Sequence, residues 1–259
     1  MHCMRFDKVV RNKLFGLIFA GNAVECVYCG KTYRKFLHEG VKSPAFKKYK
    51  VAGGGYKLNV QCVNCGSVDR SRLLYLFFKL RTNVFKQKTD ILHISPNKEI
   101  ANGLIAPTIN QTVGTIEPEM YSEYKPVYMD IQDIQYPDQS FDVVICCHVI
   151  EHVDDDDKAM RELHRVLRKG GFAVLQVPLA LNLEKTIEDR TLKTDKERKR
   201  MFGQVDHVRL YGLDYFNKLT KAGFRVVRDN PFTNQWMDEK SLKRQALDPI
   251  EDVIVCYKD

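Results

Sequence analysis

No apolar run in this 259-residue chain reaches the roughly 18 to 20 residues that a membrane-spanning helix needs, so no membrane span is expected. The marks of collagen, of a coiled coil and of a wholly disordered chain are missing too. With 44% hydrophobic and 29% charged residues, the composition is that of a globular protein. Gly53-Gly54-Gly55 lacks the following Lys-Ser/Thr of a phosphate loop and reads as a turn or flexible loop. A convincing secretory leader is also wanting. Leu14–Ala20 is short, contains Gly16 and lies away from Met1, so an amphipathic helix and a cytoplasmic location are expected.

Acidic residues are scarce at the front. Residues 1–90 carry 18 Lys and Arg against 5 Asp and Glu, whereas residues 91–259 carry 23 against 28. Such a basic front end favours phosphate-rich or acidic partners, RNA among them, although many basic surfaces are only solvated.

Four of the eight cysteines form two pairs, Cys26-Val-Tyr-Cys29-Gly30 and Cys62-Val-Asn-Cys65-Gly66. Two residues between thiols let one tight turn present both, and the glycine permits the left-handed backbone of such a knuckle. Two knuckles supply the four soft ligands that a structural Zn²⁺ holds at about 2.3 Å. Disulfides are disfavoured in a reducing compartment. Cys146 and Cys147 lie in an apolar run and read as core, and Cys3 and Cys256 have no evident role. The expected organisation is a helix and zinc-ribbon-like module over 1–70, a linking helix over 71–88 and an α/β domain over 89–259.

From residue 89 strand and helix patterns alternate. Strands are expected at Asp90–Ile94, Thr112–Ile116, Val127–Met129, Phe141–Cys147, Phe172–Val177, Phe224–Val227 and Val253–Cys256. Helices are expected at Asp154–Arg168, with a Gly170-Gly171 stop, and at Phe216–Ala222. Alternation of this kind builds a doubly wound, mostly parallel sheet. Its ligands bind beyond the carboxyl ends of the strands. That points to His93–Asn97, Glu117, Asp130 and Cys147–Glu151.

The stretch Asp130-Ile-Gln-Asp-Ile-Gln-Tyr-Pro-Asp-Gln-Ser-Phe141-Asp142-Val-Val-Ile-Cys-Cys-His148-Val-Ile-Glu151-His152-Val resembles class I S-adenosylmethionine-dependent methyltransferases. So do Glu162-Leu-His-Arg-Val-Leu-Arg-Lys-Gly-Gly171 and the strand that follows. The loop Leu92-His93-Ile94-Ser95-Pro96 is similar to the Leu-His-Ile-Ala-Pro type of a bacterial subgroup. That subgroup also shares the paired cysteines and an Asp206-His207-Val-Arg209-Leu-Tyr-Gly212 segment.

The resemblance implies a Rossmann-like, seven-stranded sheet with the last strand antiparallel, and S-adenosylmethionine as cofactor. It implies adenine contacts from Asp130 and Ile131, with His148 near the methyl. A ribose contact falls at Glu117 or near Thr115, and loop contacts fall at His93, Ser95 and Pro96. One departure stands out. The loop after the first strand has no glycine until Gly103, which leaves a non-catalytic binding protein as an alternative.

Within 182–212, His207 is a candidate base and Arg209 a candidate clamp for a carboxylate or phosphate. The other reading is a salt-bridged loop. His148, Glu151 and His152 have the residue types of a metal set, but the resemblance accounts for them without one. The expected acceptor is small or glycan-like, methylated on O or N. An RNA acceptor is the alternative, although the chain has no Asn-Pro-Pro-Tyr motif.

Overall fold

The computed structural model describes residues 16–259, so Leu14, Phe15 and Cys3 lie outside the described residues. Seven strands form the central sheet: β1 (Thr89–Ile94), β2 (Ile109–Thr115), β3 (Val127–Tyr128), β4 (Phe141–Cys147), β5 (Leu167–Gln176), β6 (Arg225–Asp229) and β7 (Val253–Tyr257). Their spatial order is 6-7-5-4-1-2-3. Strands β1 to β5 run parallel, and β7 lies antiparallel between β5 and β6. The chain winds outward from β1 to β3 and returns to β4 on the other side of β1. The carboxyl ends of β1 and β4 therefore flank the switch point where such sheets bind ligands.

Alternation along each strand divides the core. On β4, Val143 and Ile145 face one layer with Leu73, Phe77 and Phe78 of helix Asp69–Arg81. Val144 and Cys146 face the other, with Met160 and Leu163 of helix Asp156–Val166 and Leu219 of helix Tyr215–Lys221. Asp155 caps helix Asp156–Val166, its carboxylate accepting from the Lys158 N–H. That helix ends at Val166, two residues before the sequence pattern suggests. Leu167 is already extended and pairs with Phe141. The register then shifts between Leu167 and Phe172, where Gly170 takes φ +75°.

The front segment is built into this domain. Cys26 and Cys62 lie in a small core with Val24, Tyr33, Phe36 and Val63. Arg72, fully buried, ties that core to the sheet domain. Its guanidinium donates to the carbonyls of Ser67, Val60 and Gln245 and stacks 4.6 Å from the Phe36 ring centroid. Strand Val51–Ala52 pairs antiparallel with Leu179–Ala180, just past β5. No helix among the described residues is long and apolar enough to cross a membrane.

Candidate functional site

The carboxyl edge of the sheet carries two left-handed residues that are not glycine, Ser95 after β1 (φ +40°) and His148 after β4 (φ +58°). Ser95 supplies the backbone conformation that a glycine would otherwise provide in this glycine-free loop. Its hydroxyl donates to Thr115 Oγ1 at 3.2 Å at the end of β2, and Thr115 Oγ1 also accepts from the Glu117 N–H at 3.1 Å. Glu117 itself is exposed beyond that turn, and Pro96 is buried within the β1 loop. Asn97 caps the next helix, Lys98–Gly103, accepting from the Glu99 N–H. Past β3, Asp130 is half-buried, and its Oδ1 accepts from the Gln132 N–H at 2.8 Å. Gln132 in turn accepts from the Asp155 N–H, and Arg165 holds the Ile134 and Tyr136 carbonyls beside Glu162. The Asp130 carboxylate is thus fixed in direction by its own turn.

His148 opens a second group. Its backbone N–H donates to the Gln176 carbonyl, and its Nδ1 lies 3.5 Å from Glu151 Oε1. Glu151 sits in the 3-10 turn Ile150–His152 and is 1% exposed, yet neither carboxylate oxygen has a hydrogen-bond partner among the described residues. His207 joins it from 56 positions away, because the Val208 N–H donates to the Glu151 carbonyl at 3.1 Å. The His207 side chain is 1% exposed and its Nδ1 is unpartnered, while its ring hydrogen-bonds the Phe202 backbone. The His152 ring stands edge-on to His207 at 4.8 Å. Burial would push the Glu151 carboxyl up, but His148, His152 and His207 overcome that and hold it below the usual carboxylate range. Burial pushes His207 below the ordinary imidazole value.

Three expectations are corrected here. Arg209 is not a clamp facing the cleft. It is fully buried, and its donors are spent on the carbonyls of Ile150, Val153 and Asp154 and on the Glu188 carboxylate. His93 shares a strand face with Ile91, toward the helix layer. It is 1% exposed and its Nδ1 lies 2.9 Å from Gln111 Oε1, so the imidazole packs between layers instead of reaching the cleft. The Ile131 side chain lies in the core with Ile94 and Met129, so only its backbone can face a ligand.

The front segment reaches this edge as well, which sequence alone did not indicate. Gly53 (φ +72°) approaches so closely that a Cβ there would sit 3.4 Å from His148 Cε1 and 3.3 Å from the Val177 carbonyl oxygen. Phe46, on helix Pro44–Lys48, lines an open cavity of about 830 Å³ with Lys42, Lys47, Lys50, Tyr56 and Ile250. The apolar-cationic spacing of residues 41–57 was the available signal.

The four paired cysteines converge. Cys26 Sγ lies 3.5 Å from Cys65 Sγ and Cys29 Sγ 3.7 Å from Cys62 Sγ. A disulfide would bring sulfurs to about 2.05 Å. Four thiolates around one ion at about 2.3 Å stand about 3.8 Å apart. Each knuckle closes on its glycine, with Gly30 N–H donating to the Cys26 carbonyl and Gly66 N–H to that of Cys62.

A family model described as a methyltransferase domain matches residues 108–175, the stretch from β2 to β5. Ajmaline N-methyltransferase of Rauvolfia serpentina is 35% identical over 69 residues, which are 27% of this chain and 23% of that protein. The ubiquinone/menaquinone biosynthesis C-methyltransferase UbiE of Pasteurella multocida is 28% identical over 129 residues, 50% of this chain and 40% of that one. The chain thus spans less than half the length of these relatives. An S-adenosylmethionine dependent methyltransferase from Mesorhizobium loti superposes with a TM-score of 0.45 at 16% identity, covering 70% of this chain and 97% of that chain.

Proposed function

We propose that the chain is an S-adenosylmethionine-dependent methyltransferase acting on an O or N atom of a small or sugar-like acceptor. The observation that carries this reading is the coincidence of the matched segment 108–175 with the strands that present Thr115, Asp130 and His148 at the switch point. S-adenosylmethionine, when bound, supplies a methyl group on a sulfonium.

The chain's own residues fit that molecule. Ser95 bends the β1 loop so that backbone can approach it closely, and buried Pro96 stiffens the bend. Thr115 and Glu117 are the ribose-side groups. Asp130 and the Ile131 backbone are the adenine-side groups. His148 stands at the methionine end, and the Glu151–His152–His207 group lies beside it, where a proton on the acceptor can be held or moved. Alignment of acceptor and methyl is the main task of such a site. A cavity of about 830 Å³ rimmed by Lys42, Lys47 and Lys50 supports a small acceptor bearing acidic or many polar groups.

The four cysteines form a closed ligand set for structural Zn²⁺, with no open position. Thiols reserved for a metal accord with the expected cytoplasmic location.

The test is calorimetric titration with S-adenosylhomocysteine, followed by transfer of labelled methyl to small acceptors and to RNA. Micromolar binding and label on a small molecule support the reading. Label on RNA, with strongly salt-dependent affinity, would move the acceptor to nucleic acid. No nucleoside binding by folded, zinc-loaded protein would overturn the methyltransferase reading and favour a binding protein.

A further inference from the structure

We propose that Glu151, His152 and His207, with His148 at their rim, form a binding site for a divalent transition-metal cation, with coordination positions left open for an oxygen of the acceptor. The metal site stands on its own geometry. Its acceptor role rests on the methyltransferase reading.

The ligand atoms of Glu151, His152 and His207 lie within 4.8 Å of one another. Donors that share one ion at about 2.0 to 2.2 Å stand about 3 to 4 Å apart, so a small closing movement completes the set. The unpartnered atoms are the ones a cation would take. Glu151 Oε1 meets only the imidazoles of His148 (Nδ1 at 3.5 Å) and His152 (Nε2 at 3.9 Å), and Glu151 Oε2 and His207 Nδ1 are buried without a hydrogen bond among the described residues. Leaving buried polar atoms bare is costly, more so for a charged group.

The tautomers agree. His152 Nδ1 lies 3.0 Å from the Asp206 carbonyl oxygen, which can only accept, so that nitrogen carries a hydrogen and Nε2, 3.9 Å from Glu151 Oε1, is the nitrogen that gives up its proton to take a cation. The His207 ring spends one nitrogen on the Phe202 backbone, which leaves Nδ1 as the free lone pair. A backbone carbonyl behind each imidazole is the usual support of a metal-bound histidine.

A second buried carboxylate group shows the contrast. Asp69, Asp248 and Glu251 also converge, but the Lys57 ammonium lies within 3.0 Å of all three and already fills the place of a cation. No such ammonium faces Glu151 among the described residues. Two imidazoles and one carboxylate suit Mn²⁺, Fe²⁺, Co²⁺ or Zn²⁺ better than Mg²⁺ or Ca²⁺, which prefer oxygen ligands. Three protein ligands leave positions open, unlike the closed thiolate set. An oxygen bound there gives up its proton more readily, which suits an acceptor hydroxyl flanked by a second oxygen donor.

Mn²⁺ tests this, because four thiolates take it poorly. The zinc-loaded 259-residue chain is titrated with Mn²⁺, and free ion is followed by its electron paramagnetic resonance signal. About one saturable Mn²⁺ per chain is expected, with unchanged zinc content. Glu151→Gln should weaken uptake at least about 100-fold, beyond the effect of losing a supporting hydrogen bond. His152→Gln, at a half-buried position that disturbs packing less, should do so at least about 10-fold. Zinc content and the calorimetric signal with S-adenosylhomocysteine report whether each variant is folded. No saturable Mn²⁺, Co²⁺ or Fe²⁺ in the parent protein, or equal uptake by folded variants, overturns the site. Nucleoside binding without metal uptake also overturns it and leaves the methyltransferase reading intact. Metal uptake without nucleoside binding supports the site and removes only its acceptor role.

Discussion

Phe46 and His207 lie ring to ring at 6.3 Å, although 161 positions of sequence separate them. One comes from between the two cysteine pairs and the other from the loop after β5. The contact makes the front segment a wall of the cluster around Glu151. Gly203 secures it: with φ +95°, it sits where a Cβ would overlap the Phe46 ring. Gly203→Ala should therefore destabilise the fold by about 1 to 3 kcal/mol and displace Phe46. S-adenosylhomocysteine affinity should stay within about twofold, because Phe46 lines the cavity proposed for the acceptor and not the loops proposed for the cofactor. Thermal denaturation and calorimetry on the same sample check both.

Arg209→Ala should cost about 3 to 5 kcal/mol, since it removes a buried cation whose partners include three carbonyls and the Glu188 carboxylate. The melting temperature should fall steeply while cofactor affinity of the folded fraction holds. An unchanged melting temperature with weaker acceptor binding would return Arg209 to the clamp role.

Asp130→Ala should weaken S-adenosylhomocysteine binding by about 1 to 3 kcal/mol, the scale of a lost charged hydrogen bond. Asp130→Asn keeps an acceptor for the Gln132 N–H and so preserves the turn. Full affinity in the Ala variant would remove Asp130 from the adenine side.

Cys62→Ser should bring the zinc content from about one per chain toward zero. Limited proteolysis should then cut within residues 20–70, around the small core of Val24, Phe36 and Val63. Full zinc retention would show that the thiolate set is misassigned.

The buried His93 imidazole is pushed down to about 4 by loss of solvent. An unfolded histidine binds a proton below about pH 6.5. Between those values the unfolded chain holds more protons than the folded one. Stability should therefore fall as pH drops from about 6.5 to about 4, by about 3 kcal/mol from this residue, and be insensitive to it above that window. His93→Gln keeps a partner for Gln111 and should flatten that part of the urea-midpoint profile. An unaltered slope would assign the acid sensitivity to other groups.

The middle of the sheet is legible in the sequence because strands such as Phe141–Cys147 and Val253–Tyr257 are buried on both faces and read as apolar runs. The cysteine knuckles are legible because the two thiols of each pair are local in sequence. What binds Arg209 is not, because three of its partners are backbone carbonyls, which no residue type announces. The His93 position is readable in principle, since strand parity puts it on the face of Ile91. The meeting of Glu151 with His207 depends on the path of a loop between β5 and helix Tyr215–Lys221, and no spacing rule encodes it. The approach of Gly53 to His148 depends on how the front segment folds back over the sheet.

Strand Val51–Ala52 has its partner beyond β5, at Leu179–Ala180. A cassette cut at the end of the cysteine-rich region could not be grafted onto another enzyme of this fold, because the recipient would lack the matching edge. Exchange among relatives would have to carry both segments together. Loops 41–57 and 179–212 should accordingly vary as a linked pair whenever the acceptor changes, while the strands beneath them stay as they are.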